Sequence, residues 1–229
     1  QQPPPPPPPP QQQHQNNKQG QQQKGSATKS SSASSLSVPH YPPSQFLLPV
    51  KIADLGNACW FDKHFTNDIQ TRPYRAPEVI VGADYGPAVD VWSVACVVFE
   101  LLTGELMFNA QNSKYFRKDD DHFAQILELV EKQRVPDSLM RGKHSSDFFN
   151  QKREFRPIRN LKFWGLESVL YEKYRMSRKD SKELASFLLP MLALDPRARV
   201  TAVEALQHPW LHQIDDGELN REEKELLDC

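Results

Sequence analysis

The chain has 229 residues, of which 38% are hydrophobic and 25% charged, with a formal net charge of −1. That balance excludes a strongly basic nucleic-acid binder, and no apolar run reaches the length of a membrane span or a signal-peptide core. Cys59, Cys96 and Cys229 are odd in number and widely spaced, which excludes a disulfide framework and fits reduced thiols of the cytoplasm and nucleus.

These averages cover two unlike parts. Residues 1–45 hold 11 Pro, 11 Gln and 8 Ser, no acidic side chain, and only Lys18, Lys24 and Lys29 as charges. The unbroken run Pro3 to Pro10 favours extended polyproline II, and the Gln and Ser tracts cannot bury enough apolar area to offset ordering entropy. This segment is expected to be a disordered spacer or linker. Residues 46–212 read as one domain and 213–229 as a charged tail with an exposed helix. From residue 46 onward there are 25 basic and 29 acidic side chains, a net of −4. Mild acidity suits a basic protein as partner better than nucleic acid. The first residue is Gln, not Met, which points to a fragment or a processed chain.

Phe46 to Ala53 (FLLPVKIA) is apolar and partly β-branched between Pro43 and Gly56, which predicts a buried strand. Residues 57–75 are polar and irregular and read as a surface loop. Ala88 to Leu102 is apolar on nearly every face and stops at Thr103-Gly104, the pattern of a buried central helix. Asp119 to Glu131 places Phe123, Ile126, Leu127 and Val130 at helical spacing behind three aspartates at the positive helix end. Leu184, Phe187, Leu188, Met191 and Leu192 repeat that spacing, with Pro190 expected to bend the helix. Thr201 to Leu206 has Thr and Glu three apart, a capping box. His208-Pro209-Trp210 reads as packing before a chain turn. No repeat, no metal-ligand spacing among the seven histidines and no Ser-His-Asp arrangement stands out.

Phosphoryl transfer needs positioned phosphates, neutralised charge and an oriented hydroxyl more than covalent help. Asp54-Leu55-Gly56 has the form of a carboxylate at a strand end followed by a tight turn, suited to Mg²⁺. Alone, such a tripeptide is more often an ordinary turn. Here Ala76-Pro77-Glu78 follows 22 residues on, and then the apolar helix with Asp90-Val91-Trp92-Ser93. That order and spacing belong to the activation segment of a protein kinase.

Asp54-Leu55-Gly56-Asn57-Ala58-Cys59-Trp60, His64-Phe65-Thr66 and Asp68-Ile69-Gln70-Thr71-Arg72 resemble the SR-protein-specific kinases (SRPK). So do Trp164-Gly165-Leu166, Leu188-Leu189-Pro190-Met191-Leu192, Asp195-Pro196-x-x-Arg199 and Leu206-x-His208-Pro209-Trp210-Leu211. The resemblance covers essentially all of 48–212. It implies a mainly α domain, the C-lobe of the protein-kinase fold, with the N-lobe absent from this chain. It also implies a serine/threonine kinase that uses ATP and Mg²⁺ on Arg/Ser-rich splicing factors and so regulates mRNA processing. A monomer without membrane association or direct nucleic-acid contact is expected.

By the same resemblance, Asp54 would bind Mg²⁺ and Thr71 would help position the substrate hydroxyl. Arg72 and Arg75 would shape the loop beside the phosphorylation site. Glu78 would pair with Arg199, and Asp90 would hold the catalytic-loop backbone. Glu105, Asp121, Glu128 and Lys173 would form the groove that grips basic Arg/Ser segments. Asp121 and Glu128 are seven apart and share one helix face; the bland alternative is an ordinary solvated face. Pro73 stands where the family often has Gln, and Ala76-Pro77 where many animal members have Ser-Leu.

No Gly-rich loop, phosphate-binding lysine, partner glutamate or catalytic-loop Asp and Asn can be read before residue 46. The chain by itself is therefore expected to be nearly inactive. The family's kinase domain carries a long low-complexity spacer ahead of the Asp-Leu-Gly strand, and residues 1–45 look like its end. Two readings stay open: part of an active kinase whose other half is encoded upstream, or a non-catalytic module that binds Arg/Ser-rich proteins. In a truncated chain the central helix, 88–102, is expected to lack the helix that usually covers it and to leave an apolar face exposed.

Overall fold

The computed structural model describes residues 50–130 and 134–212. The expected spacer, the residues 46–49 of the expected strand and the charged tail lie outside them. The regular structure of the described residues is helical. The elements are α1 Pro77–Ile80, α2 Ala88–Thr103, α3 Lys118–Val130, α4 Asp137–Met140 and α5 Ser145–Phe148. After them come α6 Leu166–Ser168, a π-turn Val169–Lys173, α7 Arg178–Met191 and α8 Ala202–Leu206. Three 3₁₀ turns, Leu55–Asn57, Arg72–Tyr74 and Pro209–His212, complete the set.

One sequence expectation is corrected at the start. Residues 50–53 are exposed and irregular, not a buried strand. No strand lies beside them among the described residues, and a lone extended segment cannot pair its N–H and C=O groups in a ladder. Only two isolated bridges occur among those residues, Trp60 to Lys63 and Phe149 to Phe155.

The helices follow their sequence signals closely. In α2 the chain stops where Gly104 takes a left-handed φ of 75°, letting its N–H reach the Glu100 carbonyl at 2.8 Å. In α3 the first turn carries Asp119, Asp120 and Asp121, favourable at the positive helix end. Phe123, Ile126, Leu127 and Val130 are all buried, as the spacing predicts. Ser177 caps α7 by accepting from the Asp180 N–H at 3.0 Å, and Pro190 falls in its last turn. There the carbonyls near the helix end need no continuing ladder. Thr201 and Glu204 make the full capping box of α8.

Helix α2 packs on the Arg72–Tyr74 turn and on α7, while α1 lies against α3 and α4. Its buried side is Val89, Trp92, Ala95, Cys96 and Phe99. A fully buried side chain of Val or Phe size contributes about 1.5–3 kcal/mol, against ~0–1 kcal/mol for a surface ion pair. Apolar burial, not surface charge, therefore holds α2. Phe123 sits among Phe148, Phe149 and Phe155 with ring centroids 5.2–6.0 Å away, a second aromatic centre behind α3. Gly142 permits a close approach: a Cβ there would stand 2.5 Å from the Val81 carbonyl. The turn can thus hydrogen-bond to the end of α1 through the His144 and Lys143 N–H groups. Trp210 stacks on Phe187 at 4.9 Å and His208 lies 5.4 Å from the same ring, as the sequence suggests.

Helix α2 is not buried all round among the described residues. Val94, Val97, Leu101 and Leu102 are 40–80% exposed and form an apolar stripe. Such stripes promote association. Leu101→Lys is expected to reduce light scattering of concentrated protein without lowering the unfolding midpoint, because Leu101 has almost no packing to lose.

One polar contact crosses this core. Arg199 and Glu78 are both fully buried and pair at 2.8 and 3.0 Å through both guanidinium nitrogens. Arg199 also donates to the Ala88 carbonyl at the start of α2 and to Ala193 just past α7. Removing one partner strands a buried charge, so Arg199→Ala or Glu78→Ala should each cost about 3–5 kcal/mol. Urea unfolding of either variant would show the loss; values below 1 kcal/mol would contradict it.

Candidate functional site

Residues between Asn57 and Arg75 border a cleft of about 770 Å³ beside the N-terminal end of α2, lined in part by His64, Gln70, Thr71, Arg75 and Asp90. Thr71, Arg75 and Asp90, all singled out from sequence, thus meet here. Thr71 is exposed and starts the Arg72–Tyr74 turn, its carbonyl accepting the Tyr74 N–H at 2.9 Å. Pro73 suits that turn because its fixed φ pre-forms it. Asp90 is exposed in the first turn of α2 and makes no side-chain hydrogen bond or ion pair among the described residues.

The loop is held by a residue that the motif reading did not single out. Gln70 adopts φ 63°, uncommon for a side chain other than Gly, Asn or Asp. Its amide nitrogen donates to the Val89 carbonyl at 2.8 Å and Ser93 Oγ at 2.7 Å, and its amide oxygen accepts the Ala76 N–H at 2.9 Å. Ser93 Oγ then donates to the Tyr74 carbonyl at 2.9 Å. Tyr74 donates its hydroxyl to Glu100 at 2.7 Å, the first cause of its raised pKa. Arg75 donates to the Gln70 carbonyl at 2.9 Å and pairs with Asp68 at 2.9 Å. Residues 70–76 therefore lie along α2 at positions 89, 93 and 100. A Gln is unremarkable in a sequence; only its backbone conformation marks it.

Arg72 turns away from the cleft and pairs with Asp119 at the start of α3. Behind this pair His122 is fully buried, with neither ring nitrogen hydrogen-bonded. Burial first, then the positive charge of Arg72, lowers its pKa to about 4.

Asp54 sits before the Leu55–Asn57 turn with φ 59°, exposed. Among the described residues no cluster of three His, Cys, Asp or Glu could hold a metal ion. Asp54 therefore stands without companion ligands there, and the described residues alone do not form a Mg²⁺ site.

The four proposed docking residues fall into two pairs. Glu105 meets Lys173 at 2.6 Å, and Tyr174 donates to the same carboxylate at 3.0 Å. Lys173 first, then Tyr174, lowers the Glu105 pKa. Asp121 and Glu128 share the half-buried stripe of α3 with Gln125. Asp121 accepts the Gln111 N–H at 2.8 Å, and Glu128 accepts the Lys162 N–H at 2.6 Å. No hydrogen bond or ion pair joins the two pairs among the described residues. Each carboxylate is already tied to a flanking loop or side chain, yet keeps unused lone pairs.

Residues 43–211 match the protein kinase domain family. The chain belongs to that family. It is 52% identical over 166 residues to the serine/threonine-protein kinase SKY1 of Saccharomyces cerevisiae, covering 72% of this chain and 22% of that protein. It is 48% identical over 182 residues to SRSF protein kinase 3 of Homo sapiens, covering 79% and 32%. The serine/threonine-protein kinase SRPK of Physarum polycephalum is 48% identical over 167 residues, covering 72% and 39%. These relatives bear out the likeness to the SR-protein-specific kinases read from the motifs. The chain spans 22–39% of their length.

Because His122 is neutral when folded, stability is expected to be complete above about pH 6.5, the ordinary histidine value. It then falls as pH drops toward about 4, while the unfolded chain gains a proton that the folded one refuses. Urea unfolding between pH 7.5 and 4.5 would show this slope, and His122→Phe should flatten it.

Proposed function

We propose that this chain is the substrate-facing part of an SRPK-like serine/threonine kinase that phosphorylates serines in Arg/Ser-rich splicing factors, with ATP as phosphate donor. One observation carries the reading. The lip from Gln70 to Ala76 is anchored to α2 by half-buried polar contacts and closed on itself by the Gln70–Ala76 bond, which leaves Thr71 at the cleft before any substrate arrives. Pre-positioning of this kind is what phosphoryl transfer asks of the protein. When bound, ATP and Mg²⁺ would supply the transferable phosphoryl group and the neutralising charge, and Asp54 would be one ligand of the metal.

Recognition rests on charge. Glu105, Asp121 and Glu128 would accept the guanidinium groups of an Arg/Ser segment, and paired carboxylate–arginine contacts are among the stronger polar interactions. Lys173 would hold Glu105 in place. Arg72 and Arg75 would shape the loop beside the phosphorylation site, Arg75 from the cleft and Arg72 through its pair with Asp119 on α3. The protein is proposed to act as a monomer in cytoplasm and nucleus. No helix of the described residues is long and apolar enough to cross a membrane.

Charge-neutral substitutions isolate the electrostatic part, because Asn and Gln still accept the Gln111 and Lys162 N–H groups. Asp121→Asn with Glu128→Gln is expected to weaken Arg/Ser-peptide binding by at least about tenfold, as two charge-assisted hydrogen bonds are lost. Fluorescence anisotropy with a labelled peptide checks it, and unchanged affinity would remove the docking claim. Nucleotide binding is measured separately: peptide binding without it would favour a non-catalytic binding module.

A further inference from the structure

Residues 57–66 form the outer wall of the cleft, and they are all exposed. Among the described residues only one side chain outside the loop donates a hydrogen bond to it. Tyr85, in the turn before α2, donates its hydroxyl to the Thr66 carbonyl at 2.7 Å. Its ring stacks on His64, with centroids 4.1 Å apart and planes 8° from parallel. Beside it the Phe61 ring reaches over Gly86, where an added Cβ would sit 3.7 Å from Phe61 Cε2. Burial first and the neighbouring Cys59 thiol next raise the Tyr85 pKa, so it stays a donor at neutral pH.

We infer that Tyr85 is a positioning residue that clamps residues 59–66 to the turn before α2 and so sets how tightly the cleft holds a peptide. The clamp continues inward. Thr66 Oγ1 accepts the Asp68 N–H at 3.1 Å, Asp68 pairs with Arg75, and Arg75 holds the Gln70 carbonyl. Tyr85 therefore fixes the far end of a line of contacts whose near end is the Gln70 knot. Both ends start from the turn and first helical turns around α2, which gives the loop two anchors on one rigid body. The peptide part of this inference rests on the function proposed above; the clamp itself does not.

The test uses the whole 229-residue chain and trypsin, which cuts after the exposed Lys63 at the loop tip. In Tyr85→Phe, cleavage there should accelerate about fivefold, the loss of one net hydrogen bond. In Tyr85→Ala it should accelerate roughly thirtyfold, as ring stacking is lost too. The unfolding midpoint of Tyr85→Phe should stay near wild type. Affinity for an Arg/Ser peptide should fall in the same order. Cleavage at the wild-type rate in both variants would overturn the clamp, and faster cleavage with unchanged peptide affinity would overturn its role at the cleft. A wild-type chain that binds no Arg/Ser peptide would count against the proposed function alone, with Lys63 cleavage still deciding the clamp.

Discussion

The buried pair between Glu78 and Arg199 is the contact on which the remaining geometry depends. The two residues are 121 apart in sequence and fully removed from water. Arg199 places its five N–H groups on Glu78, Ala88 and Ala193 with none left over, which is the condition for burying a guanidinium at tolerable cost. Its charge also lies 5.1 Å from the Trp92 ring. Three elements, α1, the start of α2 and the end of α7, therefore meet at one group with fixed, planar geometry.

The candidate site inherits its rigidity from that junction. Ala76 stands two residues before Glu78, and its N–H is the group that Gln70 captures. Ser93 and Glu100, which hold Tyr74, belong to the helix whose first carbonyl Arg199 binds. A shift of α1 relative to α2 would pull the Gln70 contacts apart. The left-handed backbone at Gln70 costs of order 1 kcal/mol, and three side-chain hydrogen bonds offset it. The loop is thus a consequence of the core, although it lies at the surface.

The acidic face proposed for docking also has a structural use. Asp121 and Glu128 each close a backbone donor of a neighbouring loop, and Glu105 ties the end of α2 to the π-turn through Lys173. Carboxylates held this way would lose little rotamer freedom on accepting an arginine under the proposed function. The same contacts mean that deleting these side chains would disturb structure and recognition together. The uncovered stripe of α2 is a different matter, since its residues are 40–80% exposed among the described residues.

The sequence by itself determined the longer helices and α8, but not the short α1, α4, α5 and α6. Apolar spacing placed α2, α3 and α7, Thr201 marked a helix start, and Gly104 marked a stop, because these signals act within a few residues. It also determined the family, since Asp54, Glu78, Asp90 and Arg199 stand in a recognisable order. It misjudged residues 50–53, where an apolar run alone cannot supply a pairing partner. Tertiary structure decided the rest: Gln70 as the knot of the loop, Asp119 as the partner of Arg72 across 47 positions, and His122 as a neutral buried ring. Those outcomes depend on which groups lie together in space and on how far water is excluded, and neither quantity is encoded in local spacing.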